Sequence, residues 1–291
     1  MKTVIIGGTG YIGSRVFLAL REKHRVDTVD LEWFGNYVNP ENIKENYGQL
    51  PADFWQGYDA VILFAGHSSV PMCIDKMLPS FDNNVREFVE LLEKIGDKKL
   101  IYASSSSVYG NTMGVPAPET WKPFTPSNFY DLTKKVIDLY SQISGKKFYG
   151  LRMGTLAGCS PNLRVDIMIN KMYHAAKTSG KITVFNPEVY RPILGMDDMC
   201  RAVSALVEAE GEPGIYNLAS FNANVDEISR TVAASIGNVE IVNTGNSPTY
   251  NFSIDTQKFE KIFNFRFKDS IQSIVDSLKA NYDTCKKGIR E

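Results

Sequence analysis

The sequence predicts an α/β fold, in which an open parallel sheet carries helices on both faces and a smaller second lobe packs beside it. Three observations support this prediction. Short apolar runs alternate with helical patterns through the first half of the 291 residues, as in consecutive βαβ units. A glycine-rich turn joins the first apolar run to the first helical pattern. After Gly158 the alternation becomes irregular, which indicates the second lobe.

The first half contains five predicted strands and three predicted helices. Apolar residues fill Ala60–Phe64 almost completely, which is typical of a strand buried on both faces. Within Phe81–Ile95 the apolar residues recur instead at helical spacing. The predicted strands are Thr3–Ile6, Arg25–Val29, Ala60–Phe64, Lys99–Ala103 and Lys147–Arg152. The predicted helices are Ser14–Lys23, Phe81–Ile95 and Asn128–Ser144.

The second half supplies the smaller lobe and one more strand of the main sheet. The predicted helices are Val165–Ser179, Asp198–Ala209 and Val225–Ile236, with an amphipathic tail at Lys258–Lys279. Lys181–Phe185 is a short strand, whereas Gly214–Leu218 has the character of a late strand of the main sheet. We therefore predict a sheet domain at 1–158, revisited by about 195–222, and a substrate-binding lobe formed by 159–194 and 223–291. The ligand cleft is expected between them.

Composition excludes several classes of function. The formal net charge is −1, so no overall basic field attracts nucleic acid or an anionic membrane. The four cysteines are scattered and the three histidines lie far apart, so neither a disulfide framework nor a metal site is predicted. The chain enters its first strand directly and contains no apolar run of membrane-spanning length. These features predict a cytoplasmic protein with unpaired thiols.

A Gly-Gly-Thr-Gly-Tyr-Ile-Gly turn follows the first strand and opens the first helix. Gly7 allows the tight turn, Gly10 lets the backbone approach a pyrophosphate, and Gly13 lets the helix pack closely on the strand. Tyr11 and Ile12 begin the helix, whose free N–H groups and positive dipole end face phosphates. The alternative is a purely structural turn, but a strand before and a helix after the glycines favour a dinucleotide site.

Asp30 ends the second strand, about 20 residues beyond the glycine turn. A carboxylate at this position accepts hydrogen bonds from both hydroxyls of an adenosine ribose and repels a 2′-phosphate. Residues 31–36 contain neither arginine nor lysine. The sequence therefore predicts NAD rather than NADP, the alternative being a solvated carboxylate at the end of a strand.

Tyr130 and Lys134 are four residues apart on a predicted helix, so their side chains share one face. An ordinary tyrosine has a pKa near 10 and is too weakly acidic to act as a base at neutral pH. A neighbouring ammonium and the positive nicotinamide ring of NAD⁺ favour the phenolate and bring it into working range. Lys134 can also donate to the nicotinamide ribose. The alternative for such a pair alone is a surface contact.

Four consecutive serines, at 104–107, follow the fourth strand, where open parallel sheets bind their ligands. A serine hydroxyl at this edge can hold a substrate oxygen beside the tyrosine. Plain loop chemistry is the alternative for the serines in isolation. However, the glycine turn, Asp30, the serine loop and the Tyr130–Lys134 pair occur along the chain in the order in which such a site is assembled.

These motifs resemble the extended short-chain dehydrogenase/reductase superfamily, in particular its nucleotide-sugar epimerase/dehydratase group. The resembling segments are Gly7–Gly13, Phe64–Gly66, Ser104–Gly110, Tyr130–Lys134, Leu151–Met153, Ser160–Asn170, Arg191–Asp198 and Tyr216–Leu218. The resemblance implies a Rossmann-type doubly wound sheet, NAD as cofactor, a nucleotide-sugar substrate and a homodimer formed through Phe81–Ile95 and Asn128–Ser144. It makes Tyr130 the acid/base, Lys134 its partner and Ser105 the catalytic serine.

The resemblance also assigns binding residues. It places Phe64, Ala65 and Gly66 at the cofactor. The implied substrate contacts are Ser106 beside the catalytic serine, His67 at the substrate edge, Thr155 where many epimerases have asparagine, and two arginines, Arg164 and Arg191. A guanidinium suits a diphosphate because its fork of donors matches the phosphate oxygens. The alternatives are packing for the histidine and surface ion pairs for the arginines.

The serine loop narrows the reaction. Sugar-nucleotide 4,6-dehydratases carry an Asp-Glu pair where this chain has Ser106 and Ser107, so the resemblance argues against elimination of water. The leading hypothesis is an NAD-dependent 4-epimerase of a UDP-sugar that works through a transient 4-keto intermediate. The second is a reductase of a 4-keto-sugar nucleotide, and the third is a non-catalytic NAD-binding sensor on the same fold.

Overall fold

A computed structural model describes residues 1–122 and 125–285. Its strands are β1 (Lys2–Ile6), β2 (Arg25–Val29), β3 (Ala60–Leu63), β4 (Lys99–Ser105), β5 (Pro116–Ala117), β6 (Phe148–Met153), β7 (Thr155–Ala157), β8 (Lys181–Val184), β9 (Tyr190–Gly195), β10 (Gly214–Leu218), β11 (Phe221–Asn224), β12 (Glu240–Asn243) and β13 (Ser253–Ile254). Its α-helices are α1 (Tyr11–Leu20), α2 (Ala52–Gln56), α3 (Val70–Asp75), α4 (Met77–Phe81), α5 (Glu87–Lys94), α6 (Phe129–Ile143), α7 (Met168–Ser179), α8 (Met196–Glu208), α9 (Val225–Ile236), α10 (Gln257–Ile262) and α11 (Ile271–Cys285).

Six strands form the central sheet in the order β10-β6-β4-β3-β1-β2, and every neighbouring pair is parallel. The residues of β3 are buried throughout, as its unbroken apolar run predicts. The chain passes from β1 to β2 on one side and returns to β3 on the other, so the strand order reverses between β1 and β3. The carboxyl ends of these two strands open the crevice in which such sheets bind ligands. The predicted Rossmann-type fold is confirmed.

The segment after β2 forms only one bridge to the sheet, between Ile43 and Val29. Asparagine side chains hold this segment in place of a strand ladder. Asn39 Nδ2 donates to Thr28 Oγ1 at 2.9 Å, and that hydroxyl donates to Asn42 Oδ1 at 2.8 Å. Short polar side chains compete with a ladder for backbone partners, which explains why this region shapes the rim of the crevice as a loop.

Outside the central sheet the described residues form three small sheets that sequence patterns did not predict in full. β11, β9 and β7 form a three-stranded sheet, β12 pairs with β8 in parallel, and β13 pairs with β5. Helices α7, α9 and α11 pack together, and their apolar residues belong to the same core as those of β1 and α1. β10 lies in the main sheet beside β6. The division into two interleaved domains remains a prediction, and residues 286–291 of the predicted lobe lie outside the described residues.

Two predicted helices differ from the structure. The helix predicted at Phe81–Ile95 begins earlier, with α4, and a π-helical turn at Asp82–Arg86 interrupts it before α5. The tail predicted at Lys258–Lys279 is split into α10 and α11. Aromatic packing explains the split, because the Phe259 ring lies 4.7 Å from the Phe263 ring and 5.2 Å from that of Phe265. The chain between the helices folds into the core instead of continuing along one helix.

Within 1–122 and 125–285, no helix has both the length and the apolar character needed to cross a membrane. The same residues contain no cluster of three or more histidine, cysteine or acidic side chains suited to a metal ion. All four cysteines are buried free thiols.

Candidate active site

A cavity of about 820 Å³ opens at the carboxyl ends of β1, β3, β4 and β6. Residues from every predicted motif line it, and so do several side chains of the second lobe. The wall includes Gly7, Gly10, Tyr11, Ile12, Gly13, Asp30, Phe64, Ala65, Gly66, Ser104, Ser105, Ser106, Ser107, Tyr130, Lys134, Thr155, Asn162, Arg164, Asp166 and Phe252. Segments far apart in sequence therefore meet around one space whose volume is typical of sites for small molecules and cofactors.

The glycine turn forms one end of the cavity, and a side chain at Gly7 or Gly13 would collide with backbone atoms. Gly7 has a φ of +84°, and a Cβ on it would lie 2.4 Å from the Ala65 nitrogen. A Cβ on Gly13 would lie 2.0 Å from the Gly7 carbonyl oxygen. Gly10 differs, because its φ of −72° suits any residue and its Cβ would meet only the Gly7 oxygen, at 3.4 Å. The space beside Gly10 at the start of α1 fits a diphosphate.

Asp30 lies at the crevice with both carboxylate oxygens oriented by backbone donors. The Thr9 N–H donates to one oxygen at 3.1 Å, and the Glu32 N–H donates to the other at 2.7 Å. Each oxygen retains lone pairs that can accept from a ribose hydroxyl. Lys44 reaches this region from later in the chain, but its ammonium pairs with Glu32 at 3.1 Å. The corner fits a ribose with two free hydroxyls.

The segment after β3 is clamped by Asn84, a residue that the sequence motifs did not single out. Asn84 Oδ1 accepts from the His67 N–H at 2.8 Å, and its Nδ2 donates to the His67 carbonyl at 3.1 Å. The His67 ring is buried, with Nδ1 2.6 Å from Ser80 Oγ and its centroid 5.7 Å from that of Trp33. Burial lowers the pKa of His67 and favours the neutral ring. These contacts give His67 a packing role, and a substrate contact remains a prediction.

Tyr130 and Lys134 lie on one face of α6, whose N-cap Asn128 accepts from the Asp131 N–H. Lys134 Nζ donates to the Ala103 carbonyl at 2.7 Å and lies 5.9 Å from the centre of the Tyr130 ring. Burial lowers the pKa of Lys134 to about 8. Burial raises the pKa of Tyr130, while a hydrogen bond with Ser105 and the charge of Arg164 lower it. The burial, charges and hydrogen bonds around this pair therefore determine how readily the Tyr130 phenol loses its proton.

The four serines of the loop have different partners. Ser105 caps the short helical turn Ser106–Tyr109, accepting from the Ser107 N–H at 3.2 Å. Ser106 Oγ donates to the Met153 carbonyl at 2.8 Å, so its proton is already used. Ser104 Oγ is buried on the cavity wall without a hydrogen-bond partner among residues 1–122 and 125–285. An unpaired buried hydroxyl at this edge is suited to a ligand, although the sequence gave no reason to select this serine among four in a row.

The two arginines are held differently. Arg164 lies on the cavity wall, where Nη2 pairs with Asp166 at 2.5 Å and Nη1 donates to Ser68 Oγ at 3.2 Å. Arg191 donates to the carbonyls of Tyr190 and Tyr250 and to Thr249 Oγ1, the last at 2.7 Å.

Arg191 stands over the ring of Phe252, at 5.3 Å from its centre, and Phe252 lines the cavity. In the described part of the chain its guanidinium has no carboxylate partner. Burial lowers the pKa of Arg191 to about 10. A half-buried cation held only by neutral acceptors fits an anionic ligand.

The structure therefore brings the predicted residues to one cavity, with two exceptions in detail. The His67 ring is bound to Ser80, and Arg191 lies against the ring of Phe252, which lines the cavity. The residues that sequence reasoning missed are Ser68, Asn83, Asn84, Ser104 and Asp166. Of these residues, only Asn83 and Asn84 could have been noticed in the sequence, as two adjacent asparagines where a helix was predicted. The structure has a π-helical turn at this place.

Comparison with known proteins agrees with this geometry. Residues 3–219 match the family model described as the NAD dependent epimerase/dehydratase family. Over 213 residues the chain is 30% identical to UDP-glucose 4-epimerase of Lactobacillus helveticus, an alignment that covers 65% of this chain and 64% of that protein. The matched part thus spans slightly under two thirds of this curated relative.

Two solved structures illustrate the likeness in fold. UDP-glucose 4-epimerase of Thermotoga maritima superposes with a TM-score of 0.85 at 21% identity, covering 97% of this chain and 100% of that one. The NAD-dependent NDP-hexosamine 5,6-dehydratase TunA gives 0.83 at 20% identity, covering 97% and 98%. Both confirm the fold. The family match extends over most of the chain and confirms the resemblance drawn from the motifs: this chain belongs to the NAD-dependent epimerase/dehydratase family of the extended short-chain dehydrogenase/reductase superfamily.

Proposed function

We propose that this protein is an NAD-dependent 4-epimerase of a nucleotide sugar, with a UDP-sugar as the first candidate. One observation carries the proposal. Tyr130, Lys134 and Ser105 share a wall of the same cavity that runs past the glycine turn and Asp30. When bound, NAD supplies the acceptor and donor of the hydride exchanged with C4 of the sugar. Relatives described as UDP-glucose 4-epimerases support the choice of substrate class.

Residues from several segments of the sheet domain would bind the cofactor. Gly10 and the N–H groups of Tyr11 and Ile12, at the start of α1, would receive the diphosphate. Asp30 would accept from the adenosine ribose, and Lys134 would donate to the nicotinamide ribose. Phe64, Ala65 and Gly66 would form the wall under the cofactor, since the backbone of this segment lies against Gly7.

The proton chemistry would depend on Tyr130. A hydrogen bond with Ser105 and the charge of Arg164 lower the pKa of the phenol, opposing the effect of burial. The Lys134 ammonium and the positive nicotinamide would lower it further, so that the phenolate would accept the proton of the sugar hydroxyl. Ser105 would hydrogen-bond the same sugar oxygen. The ketosugar then turns in the cavity and presents its other face, and Tyr130 returns the proton. No proton or reducing equivalent is consumed in the complete cycle.

Substrate recognition would come from both lobes. Arg191 would bind the diphosphate, because its charge faces only neutral acceptors among the described residues. Arg164 lines the cavity from the second lobe and Thr155 lines it from β7, and both would contact the sugar or its diphosphate. Ser106 and His67 complete the predicted set, although their polar atoms already bond Met153 and Ser80.

A homodimer in the cytoplasm fits the surface of the structure. Exposed apolar side chains cluster on α3, α4 and the end of α6, at Ile74, Met77, Leu78, Phe81, Leu139 and Ile143. Ile143 is 84% exposed and Leu78 71%, an unusual exposure for such residues unless a second chain covers them. The α6 part of this surface agrees with the helix predicted to pair, and four unpaired thiols agree with a reducing compartment.

A 4-keto-sugar-nucleotide reductase is the second candidate, because the same residues could catalyse the reduction of the ketosugar alone. Ser106 and Ser107 stand where the dehydratases carry an acidic pair, which disfavours elimination despite the likeness of the fold to TunA. A reductase consumes reduced nicotinamide in proportion to product, whereas an epimerase consumes none. The absorbance band of reduced nicotinamide during turnover distinguishes the two.

The test is a turnover screen of the purified protein with UDP-, dTDP-, GDP- and CDP-sugars in the presence of NAD, followed by proton NMR of the sugar. We expect the C4 epimer of at least one substrate to appear without net formation of reduced cofactor. Tyr130→Phe should lower kcat by at least ~10²-fold while NAD binding persists. Failure of every sugar to react, or full turnover by Tyr130→Phe, would refute the proposal.

A further inference from the structure

Asp131 follows the catalytic tyrosine and is completely buried. Its two oxygens face different partners. Oδ1 contacts the Ser107 hydroxyl, and Oδ2 accepts from Asn128 Nδ2 at 2.6 Å with the Tyr250 hydroxyl at 3.5 Å. Ser107 Oγ in turn lies 2.7 Å from Ser105 Oγ. A continuous chain of hydrogen-bonding groups thus leads from a buried carboxyl to the serine that faces the substrate.

Counting protons along this chain leads to two arrangements, because each hydroxyl has only one proton to donate. If Asp131 is ionised, Ser107 donates to it, Ser105 donates to Ser107, and Ser105 has no proton left for the substrate. If Asp131 is neutral, it donates to Ser107, Ser107 donates to Ser105, and Ser105 donates into the cavity. The charge of Asp131 therefore biases the direction of the Ser105 hydroxyl, which also hydrogen-bonds Tyr130.

We propose that Asp131 is a positioning residue that acts through Ser107 and influences whether the Ser105 hydroxyl donates to the reacting sugar oxygen. The inference rests on the proposed function, in which Ser105 bonds that oxygen. Donation is needed in both directions of the reaction, because the oxygen carries negative charge as the hydroxyl proton leaves and again as the ketone is reduced.

The surroundings of Asp131 act on its charge in opposite directions. Burial raises its pKa above the ordinary value for aspartate and outweighs the hydrogen bonds with Ser107, Asn128 and Tyr250, which lower it. No cation pairs with it in the described part of the chain. The titratable groups around it are Tyr130 on its own helix, Cys73 on α3 and Tyr250 before β13.

Two lysines follow Asp131 on α6. The first, Lys134, directs its ammonium to the Ala103 carbonyl, and the second is Lys135. Asp131 also occupies the third position of a helix capped by Asn128, so a purely structural capping role is the competing explanation.

Asp131→Asn separates the two explanations. An asparagine can place its Nδ2 toward Ser107 and its Oδ1 toward Asn128 and Tyr250, which are both donors, and so imitates the neutral acid at every pH. The wild type should lose activity as pH rises and Asp131 ionises, whereas the variant should not. We expect the ratio of variant to wild-type kcat to rise by ~3–10-fold with pH, the effect of one hydrogen bond to the reacting oxygen. A ratio independent of pH would overturn the proposal.

Ser107→Ala interrupts the chain and leaves the cap of α6 intact. If Asp131 acts through Ser107, the pH-dependent effect of Asp131→Asn should disappear in the Ser107→Ala background. Persistence of that effect without the Ser107 hydroxyl would contradict the mechanism. Ser107→Thr, which keeps a hydroxyl, should restore the pH dependence.

Two readouts need no substrate and therefore distinguish failure of this inference from failure of the proposed function. The infrared difference spectrum of NAD-loaded wild type minus Asp131→Asn should contain the band of a neutral carboxyl that disappears as pH rises. Because the folded pKa is raised, the stability due to the neutral acid is present below the unfolded pKa and lost as pH rises through the folded pKa. The Tm advantage of Asp131→Asn should therefore grow with pH.

Glu227→Gln is the matched control for stability. Glu227 also occupies the third position of an asparagine-capped helix, α9, but it is exposed and has no serine partner. We expect no comparable growth of the Tm difference with pH for this variant. An infrared band absent at all pH values, or equal Tm trends for the two variants, would show that Asp131 is an ordinary capping residue and overturn the proposal.

Discussion

The two ends of the cavity are built in different ways. At the cofactor end, the glycine turn, Asp30 and the segment after β3 present mainly backbone groups, and each contact is fixed within a few residues of a strand end. At the proposed substrate end, Thr155, Arg164 and Arg191 contribute side chains from three separate segments of the chain. The proposed cofactor end is therefore specified mainly by backbone geometry, whereas the proposed substrate end depends on the identity of individual side chains.

The largest effect among the variants at the two ends is expected for Arg191→Ala. The diphosphate does not react, so its contact is equal in ground and transition states, and its loss should raise KM with little change in kcat. A charge-assisted hydrogen bond corresponds to a KM increase of ~10–100-fold. Arg191→Lys should recover only part of this, because an ammonium cannot reproduce the planar fork. Steady-state kinetics with the substrate found in the screen measures the effect.

An unchanged KM together with a lower Tm would give Arg191 a structural role. Its bonds to Tyr250 and Thr249 would then serve to hold the segment before β13 against the cavity. In that case Arg164 or backbone donors would be left to bind the diphosphate.

A pair of glycine variants tests how the backbone shapes the proposed cofactor end. Gly13→Ala forces a Cβ against the Gly7 carbonyl and should destabilise the free protein by ~1–3 kcal/mol. Gly10→Ala meets no close atom and has an ordinary φ, so the free protein should keep its Tm. The stabilisation that NAD provides should nevertheless fall in Gly10→Ala, because its methyl group occupies the space of the diphosphate. Thermal shifts with and without NAD would show both effects; full NAD stabilisation of Gly10→Ala would place the diphosphate elsewhere.

The smallest effect concerns the choice between the two nicotinamide cofactors. With Asp30 and Glu32 both at the ribose corner, we expect NAD to bind at least ~10-fold more tightly than NADP in calorimetry, or ~1.4 kcal/mol. Lys44 is a cation beside this corner, but its ammonium pairs with Glu32 at 3.1 Å. Asp30→Ala should narrow the difference between the cofactors, and Glu32→Gln should narrow it further by releasing Lys44. Equal affinities of the wild type for NAD and NADP would contradict the assignment of Asp30 to the adenosine ribose.

The same contrast explains how much the sequence could predict. Residues 7–13 specify a backbone shape that only glycines allow, so this motif located the cofactor end from local sequence alone. Arg191 is different, because its neutral partners lie 58 and 59 residues away, at Thr249 and Tyr250. The interrupted helix at Asp82–Arg86 was also missed, since its role depends on Asn84 reaching the His67 backbone. Local patterns predicted the strands of the main sheet and the short strand at Lys181–Phe185, which is β8, but not the pairing of the small sheets. Most strands of those sheets are too short to show a clear alternation of apolar and polar residues.

The central claim is that hydride leaves C4 of a nucleotide sugar and returns to the same carbon. Tyr130 would accept the proton of the sugar hydroxyl in the first step and return it in the second. A substrate deuterated at C4 tests this directly, with the epimer analysed by NMR and mass spectrometry. The account predicts that the epimer keeps its deuterium at C4 in ordinary water, because the label passes to the cofactor and back without meeting solvent. Loss of the label to water, or its accumulation on released reduced cofactor, would contradict the epimerase mechanism.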